Sequence, residues 1–144
     1  MLRFLSLLLV PVIFSLNSYA SGAGNMLPEK SISISIDEKG YAYIGRDTLT
    51  IIEITEEIHT RLWKSYLGTG KMPGLILVSY KGNAAAINQT ATEKALKDAQ
   101  QKTLQEFCVH KYKKKFEDVS SSQQKKIKKQ FPVLFQQVFT PMGN

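Results

Sequence analysis

Residues 31–36 read Ser-Ile-Ser-Ile-Ser-Ile, and no other stretch of the 144 limits the fold so tightly. Strict alternation places Ile32, Ile34 and Ile36 on one face of an extended chain and the serines on the other. A helix would scatter the isoleucines around its circumference. The segment is therefore a half-buried strand that needs a second layer to cover its apolar face. Asp37-Glu38-Lys39-Gly40 is a turn, with Gly40 supplying the positive φ that short hairpin loops require. Tyr41–Ile44 is the returning strand: Ala42 and Ile44 join the isoleucine face, and Tyr41 and Tyr43 take the other.

The covering layer follows in sequence. Gly45-Arg46-Asp47 turns the chain, and Thr50-Ile51-Ile52-Glu53 has the spacing of a capping box. Ile51, Ile54, Ile58, Leu62 and Tyr66 then recur at helical spacing, with Glu57 and Arg61 set for an i,i+4 ion pair. The helix should stop near Gly68, before Gly70 and Pro73. Leu75-Ile76-Leu77-Val78 is a continuous apolar run, expected of a central strand buried on both faces. Thr90-Ala91-Thr92-Glu93 is a second capping box, opening a helix to about Tyr112 whose inner stripe is Leu96, Ala99, Thr103 and Phe107, with Leu104 and Cys108 beside it. The expected fold is α+β: a small sheet from an N-terminal hairpin plus a central strand, packed by two amphipathic helices, over residues 31–110.

Both ends differ from this middle. Residues 1–20 have a short positive start, an apolar run Phe4–Leu16, and small residues before a cut after Ala20, the layout of an export signal. Thirteen residues rise about 20 Å as a helix against a hydrocarbon core of roughly 30 Å, so the segment is a signal peptide or a short signal anchor. Residues 21–30 read as a flexible tether. Either way the rest of the chain is expected in the periplasm of a Gram-negative bacterium, soluble or held at the inner membrane. Residues 111–144 form a basic helical extension and tail, with a third capping box at Ser120–Gln123 and a helix from Gln123 to Phe131. Nine residues with only Ile127 and Phe131 as apolar anchors cannot hold a helix in water, so this helix must pack on the domain or on a partner.

Charge is just as uneven. Nineteen Lys and Arg against twelve Asp and Glu give a net +7. Eleven of the lysines lie between Lys94 and Gln130, with only four acids among them. Lys111, Lys113, Lys114, Lys115, Lys125, Lys126, Lys128 and Lys129 are candidates for contact with cell wall or anionic lipid. Nucleic acid is not expected as a partner of an exported chain.

Candidates for catalysis or metal binding are few. Gly68-Thr69-Gly70-Lys71 follows a helix and precedes Met72-Pro73, whereas a phosphate loop follows a strand and opens a helix. Cys108 and His110 stand two apart on one helix, on roughly opposite sides, and His59 lies on another. One cysteine cannot form an intrachain disulfide. No carboxylate pair falls where general acid–base work would need it. The reading is a non-enzymatic module without a cofactor or metal.

Three segments resemble the ExbD/TolR family of biopolymer-transport proteins. Met26-Leu27-Pro28-Glu29 is similar to the Leu-Pro segment after that family's membrane helix. Ile34-Ser35-Ile36-Asp37-Glu38-Lys39-Gly40-Tyr41-Ala42-Tyr43-Ile44-Gly45 resembles its first hairpin. Lys114-Lys115-Phe116-Glu117-Asp118-Val119, Gln123-Gln124-Lys125-Lys126-Ile127 and Phe131-Pro132 resemble a C-terminal extension of ExbD-like proteins from Bacteroidota. The resemblance implies a periplasmic accessory of a proton-motive-force-coupled, TonB-type system, with an ExbB-like channel protein, a TonB-like protein or both as partner; self-association is a separate expectation. It points to Leu27 and Pro28, and to Ile34, Ile36, Tyr41 and Tyr43 of the hairpin, as partner-binding residues through addition of a strand at the hairpin's edge. One departure stands out. The family's membrane helix carries a proton-binding aspartate, and residues 2–20 contain no Asp or Glu. An apolar segment without a titratable group marks no ion path, so proton conduction does not transfer.

Overall fold

The structure, a computed structural model, describes residues 29–139 of the 144. The signal segment, most of the tether, and Leu27 and Pro28 lie outside the described residues. The chain runs β1 (Ser31–Ile36), β2 (Tyr41–Ile44), β3 (Asp47–Thr50), α1 (Ile51–Thr69), β4 (Leu75–Tyr80), α2 (Ala84–Tyr112), a 3₁₀ turn (Phe116–Asp118), α3 (Ser121–Gln130) and a second 3₁₀ turn (Pro132–Phe135). This is an α+β fold: a four-stranded mixed sheet in the order β3-β2-β1-β4, packed by helices. β1–β2 and β2–β3 are antiparallel hairpins. β1 and β4 are parallel, from Ser31↔Leu75 to Ile36↔Tyr80, with α1 in the crossover that a parallel pair requires.

The alternation of β1 has the expected consequence. Ile32, Ile34 and Ile36 are buried with Ala42, Ile44, Ile76 and Val78 on one sheet face. Against them lie Ile54, Ile58 and Leu62 of α1 and Leu96, Ala99, Thr103, Leu104, Phe107 and Cys108 of α2. Burying each large aliphatic side chain in this layer contributes about 1.5–3 kcal/mol, so one core holds sheet and helices together. Contacts between the helices rise together in sequence: Thr55 Oγ1 donates to Ala95 O (3.1 Å), His59 meets Thr103 and Glu106, and Trp63 meets His110. The two helices therefore run parallel. One end of the fold gathers the start of β1, the start of β4 and the C-termini of α1 and α2; the other gathers the β1–β2 turn and the N-termini of both helices.

Local signals are realised where their partners are local. Gly40, at φ 83, closes the first hairpin through Gly40 N–H to Asp37 O (3.1 Å) and Asp37 N–H to Tyr41 O (3.0 Å). The Glu53 carboxylate accepts from the Thr50 amide (2.7 Å) and hydroxyl (2.8 Å) at the start of α1. Arg61 pairs with Glu57 at 2.6 Å and with Asp47 at 2.9 Å. α1 continues past Gly68 to Thr69 and ends on Gly70 in the left-handed region.

Four expectations are corrected. β4 is not a central strand buried on both faces. It is the last strand of the sheet, and only Ile76 and Val78 are buried while Leu75 is 41% exposed. The helices cover one face only, so the alternate residues of β4 meet solvent. Asp47–Thr50, read as turn and cap, is a fourth strand with a single inward apolar residue, Leu49. The Thr90–Glu93 capping box is not a helix start, because α2 begins at Ala84 and Thr92 is buried inside it. Its N-terminus is capped from a distance: the Asn83 amide donates to Glu38 Oε1 at 2.7 Å, across the turn where Gly82 takes φ 55. Finally, the hairpin is not at the edge of the sheet, since β1 and β2 each have neighbours on both sides.

The C-terminal segment packs on the domain. Val119, Ile127, Phe131, Val133, Leu134 and Phe139 are buried in the same core cluster. Phe131 stands edge-on to Phe107 (4.9 Å between centroids) and Tyr66 (5.8 Å). α3 has the Ser120–Gln123 capping box and spans Ser121–Gln130.

Candidate interaction surfaces

Two sheet edges exist, and each is largely sealed. At the β3 edge, Ile44↔Asp47 closes a two-residue turn with Gly45 at φ 63. Pairing alternates along such a hairpin, so Asp47 and Leu49 bond inward to β2 while Thr48 and Thr50 point outward. The Thr50 amide is taken by Glu53, and its carbonyl lies at the start of α1. Thr48 alone is left to offer both backbone groups. An edge this short, flanked by the Asp47–Arg61 ion pair, is a poor template for an added strand.

The β4 edge is covered by the chain's own C-terminal segment. The Gln136 carboxamide accepts from Ile76 N–H (2.8 Å) and donates to Ile76 O (2.7 Å), exchanging two bonds as a neighbouring peptide unit would. Val78 N–H donates to Phe139 O at 2.7 Å. The segment is held in turn by Gln100, whose Nε2 donates to Val133 O (2.6 Å) and Gln136 O (3.1 Å). Neither Gln100 nor Gln136 stands out in the sequence, because a glutamine that pairs with distant backbone has no local signature.

The hairpin residues divide by face. Ile34 and Ile36 are buried core. Tyr41 is 44% exposed and Tyr43 half-buried, on the sheet face opposite the helices. They wall a shallow cleft of about 420 Å³ with Asp37, Glu38, Lys39, Lys81 and Gly82. The Asp37 carboxylate accepts from the amides of Tyr41 and Lys39 (both 2.9 Å) and from the Tyr43 hydroxyl (2.9 Å). The Tyr41 amide, more than the Tyr43 hydroxyl or the Lys39 amide, holds the Asp37 carboxyl below the usual aspartate range. The bond to Asp37, with some burial, pushes the Tyr43 phenol up. Lys81 Nζ lies 4.9 Å from the Tyr43 ring centre. Asp37 is thus committed to holding the turn, and Lys81 stands over the Tyr43 ring, which leaves the Tyr41 ring as the more exposed aromatic of this cleft.

All eight candidate lysines are exposed, and none forms an ion pair among the described residues. On α3, Lys125, Lys126, Lys128 and Lys129 cover an arc of about 160° opposite buried Ile127. The others cluster at the end of α2, where Lys113 takes φ 57 as the C-cap and its Nζ donates to His110 O (3.1 Å). Lys111 Nζ lies 5.5 Å from the Phe107 ring centre, and Lys128 Nζ 5.6 Å from that of Phe135. Lysines in the last turns of α2 and α3 also offset the negative ends of the helix dipoles.

No three His, Cys, Asp or Glu side chains among the described residues are grouped to hold a metal ion. His59 Nε2 lies 2.9 Å from Glu106 Oε2 and Nδ1 lies 3.0 Å from Thr103 Oγ1, tying α1 to α2. Cys108 is buried, which pushes its thiol up and away from the reactive thiolate form. No described helix is long and apolar enough to cross a membrane. Comparison with protein-family models, curated proteins and solved structures finds no match to this chain.

Proposed function

We propose that this chain is an exported, non-enzymatic accessory of an ExbD/TolR-like transport system coupled to the proton-motive force, working by protein–protein contact with an ExbB-like channel or a TonB-like protein. The observation that supports this most is the order of elements. The resemblance implies strand, tight turn, strand, helix, strand, helix, and the chain runs in that order with β3 prolonging the hairpin. The interior position of β1 and β2 moves the expected contact from the hairpin's edge to its open face, where Tyr41 and Tyr43 combine apolar rings with polar hydroxyls. The test is a photo-crosslinking residue at Tyr41 of the full chain, in cells of its host. Adducts with a channel-type or TonB-type protein are expected. Absence of both, together with unimpaired uptake when the chain is deleted, would refute the reading.

A second reading is favoured by one specific observation, the eight exposed lysines without carboxylate partners among the described residues. It makes the chain an envelope module that holds cell wall or anionic membrane through its basic helices. Such contact weakens steeply with salt, whereas contact through the tyrosine face does not.

A further inference from the structure

We infer that the end of the domain from which residues 1–28 depart is a docking face for an anionic lipid bilayer. The inference rests on the second reading above, choosing lipid over glycan, and is independent of the transport partner.

The topology brings four separate segments to this end. Lys30 precedes β1 and receives Gly74 N–H on its carbonyl (2.9 Å), fixing the start of β1 beside the start of β4. Lys64 and Lys71 belong to the end of α1 and the loop after it, and Lys111, Lys113, Lys114 and Lys115 to the end of α2. All seven are exposed, and none pairs with a carboxylate among the described residues. Between the two helix ends lies an apolar strip. Trp63 packs edge-on to His110 (5.5 Å) and beside Tyr66 (5.4 Å), Leu67 sits one turn further along α1 and is 58% exposed, and Val109 is 50% exposed. Tyr66 packs inward on Phe107 and Phe131, so the half-buried Trp63 with the exposed Leu67 and Val109 is what the strip presents among the lysines. A tryptophan so placed favours a membrane–water interface, with ammonium groups reaching phosphate.

The chain itself says why lipid is the occupant. The apolar run Phe4–Leu16 lies on the far side of a spacer of 12 residues, 17–28. Twelve residues span at most about 40 Å. Whatever bilayer holds the apolar run is then within reach of this end of the domain. A glycan surface would use the lysines and leave Leu67 and Val109 facing water.

The single tryptophan of the chain is in the strip, so the test reads the face directly. The full chain is added to vesicles of phosphatidylcholine alone, or with phosphatidylglycerol, carrying brominated acyl chains that quench a nearby indole. Trp63 should be quenched with the anionic vesicles, weakly without anionic lipid, and less as salt rises. Each lysine near an anionic leaflet multiplies docking by about fivefold, so Lys111, Lys113, Lys114 and Lys115 changed together to Gln should lower the docked-to-free ratio on the order of a hundredfold or more. Leu67→Ser, at an exposed position, should reduce quenching while leaving the salt dependence intact. Equal quenching in both vesicles would overturn the proposal, because the apolar run alone would then account for it. So would a Trp63 unquenched by either vesicle while the chain binds purified peptidoglycan. Neither result bears on crosslinking from Tyr41.

Discussion

Replacing Gln136 by Ala tests whether the C-terminal segment seals the sheet. The side chain occupies both outward backbone groups of Ile76, a residue with no exposed surface, through bonds of 2.8 and 2.7 Å. Gln136→Ala removes both partners and leaves the peptide groups of β4 facing a gap. A hydrogen bond contributes about 0.5–1.5 kcal/mol net, and a buried group left unpaired costs about 1–3 kcal/mol. Water can reach an edge strand in part, so each of the two groups left unpaired should cost near the lower bound, about 2 kcal/mol together. Urea unfolding followed by Trp63 emission should show a lower midpoint at unchanged slope. Amide exchange supplies the site-specific half. The Ile76 amide should lose its protection in Gln136→Ala, while interior amides of β1 exchange only with global unfolding. Gln136→Glu separates donor from acceptor: it can still accept from Ile76 N–H but sets a carboxylate against Ile76 O. It should keep the Ile76 amide protected and still destabilise the fold. An Ile76 amide equally protected in wild type and Gln136→Ala would refute the seal.

Three further outcomes follow from single residues. Gly82→Ala forces a side chain to φ 55 and drives its Cβ into the Glu38 carboxylate that caps α2. It should lower stability by about 2–3 kcal/mol in thermal unfolding, against about 1 kcal/mol for Glu38→Ala, which loses the cap alone. Asp37 has a folded pKa below its unfolded value, chiefly through the Tyr41 amide. Its contribution is therefore full above the ordinary aspartate pKa near 4 and is lost as pH falls through the lower folded value; Asp37→Asn should flatten the stability profile over that acid range. Cys108 is buried with a raised thiol pKa, so native protein should react slowly with iodoacetamide at neutral pH and unfolded protein fast; equal rates would contradict its burial.

What the sequence made legible divides by the distance between partners. The Ser-Ile repeat, the Gly40 turn and the capping boxes at Thr50 and Ser120 are completed within a few residues, and each is found where it was read. So is the inner stripe of α2, because helical periodicity needs no knowledge of what covers it. The errors share the opposite property. The cap of α2 comes from Glu38, 45 residues before Asn83, so the nearer Thr90–Glu93 pattern marks no helix start. An apolar run such as Leu75–Val78 fixes a strand but not its place in the sheet, which depends on β1 pairing with β4 across the whole of α1.

The same reasoning explains why the proposed docking face is only half visible in the sequence. Lys111–Lys115 are contiguous and announce themselves, whereas Lys30, Lys64, Lys71, Trp63 and Leu67 look like scattered surface residues until two parallel helices and two parallel strands set their ends together. The hairpin misled for a related reason. Its alternation identifies an amphipathic strand pair, but the property a partner strand would need, an unpaired backbone, is decided by neighbours far along the chain. β3 shields one side of the hairpin and β4 the other, and at the β4 edge Gln136 takes both backbone groups of Ile76 while Phe139 takes the Val78 amide. With Thr48 as the one outward residue offering both backbone groups at the β3 edge, and Ile76 already taken by Gln136 at the β4 edge, the proposed contacts fall to side chains: tyrosines on the open sheet, and lysines with tryptophan at the end where the chain enters.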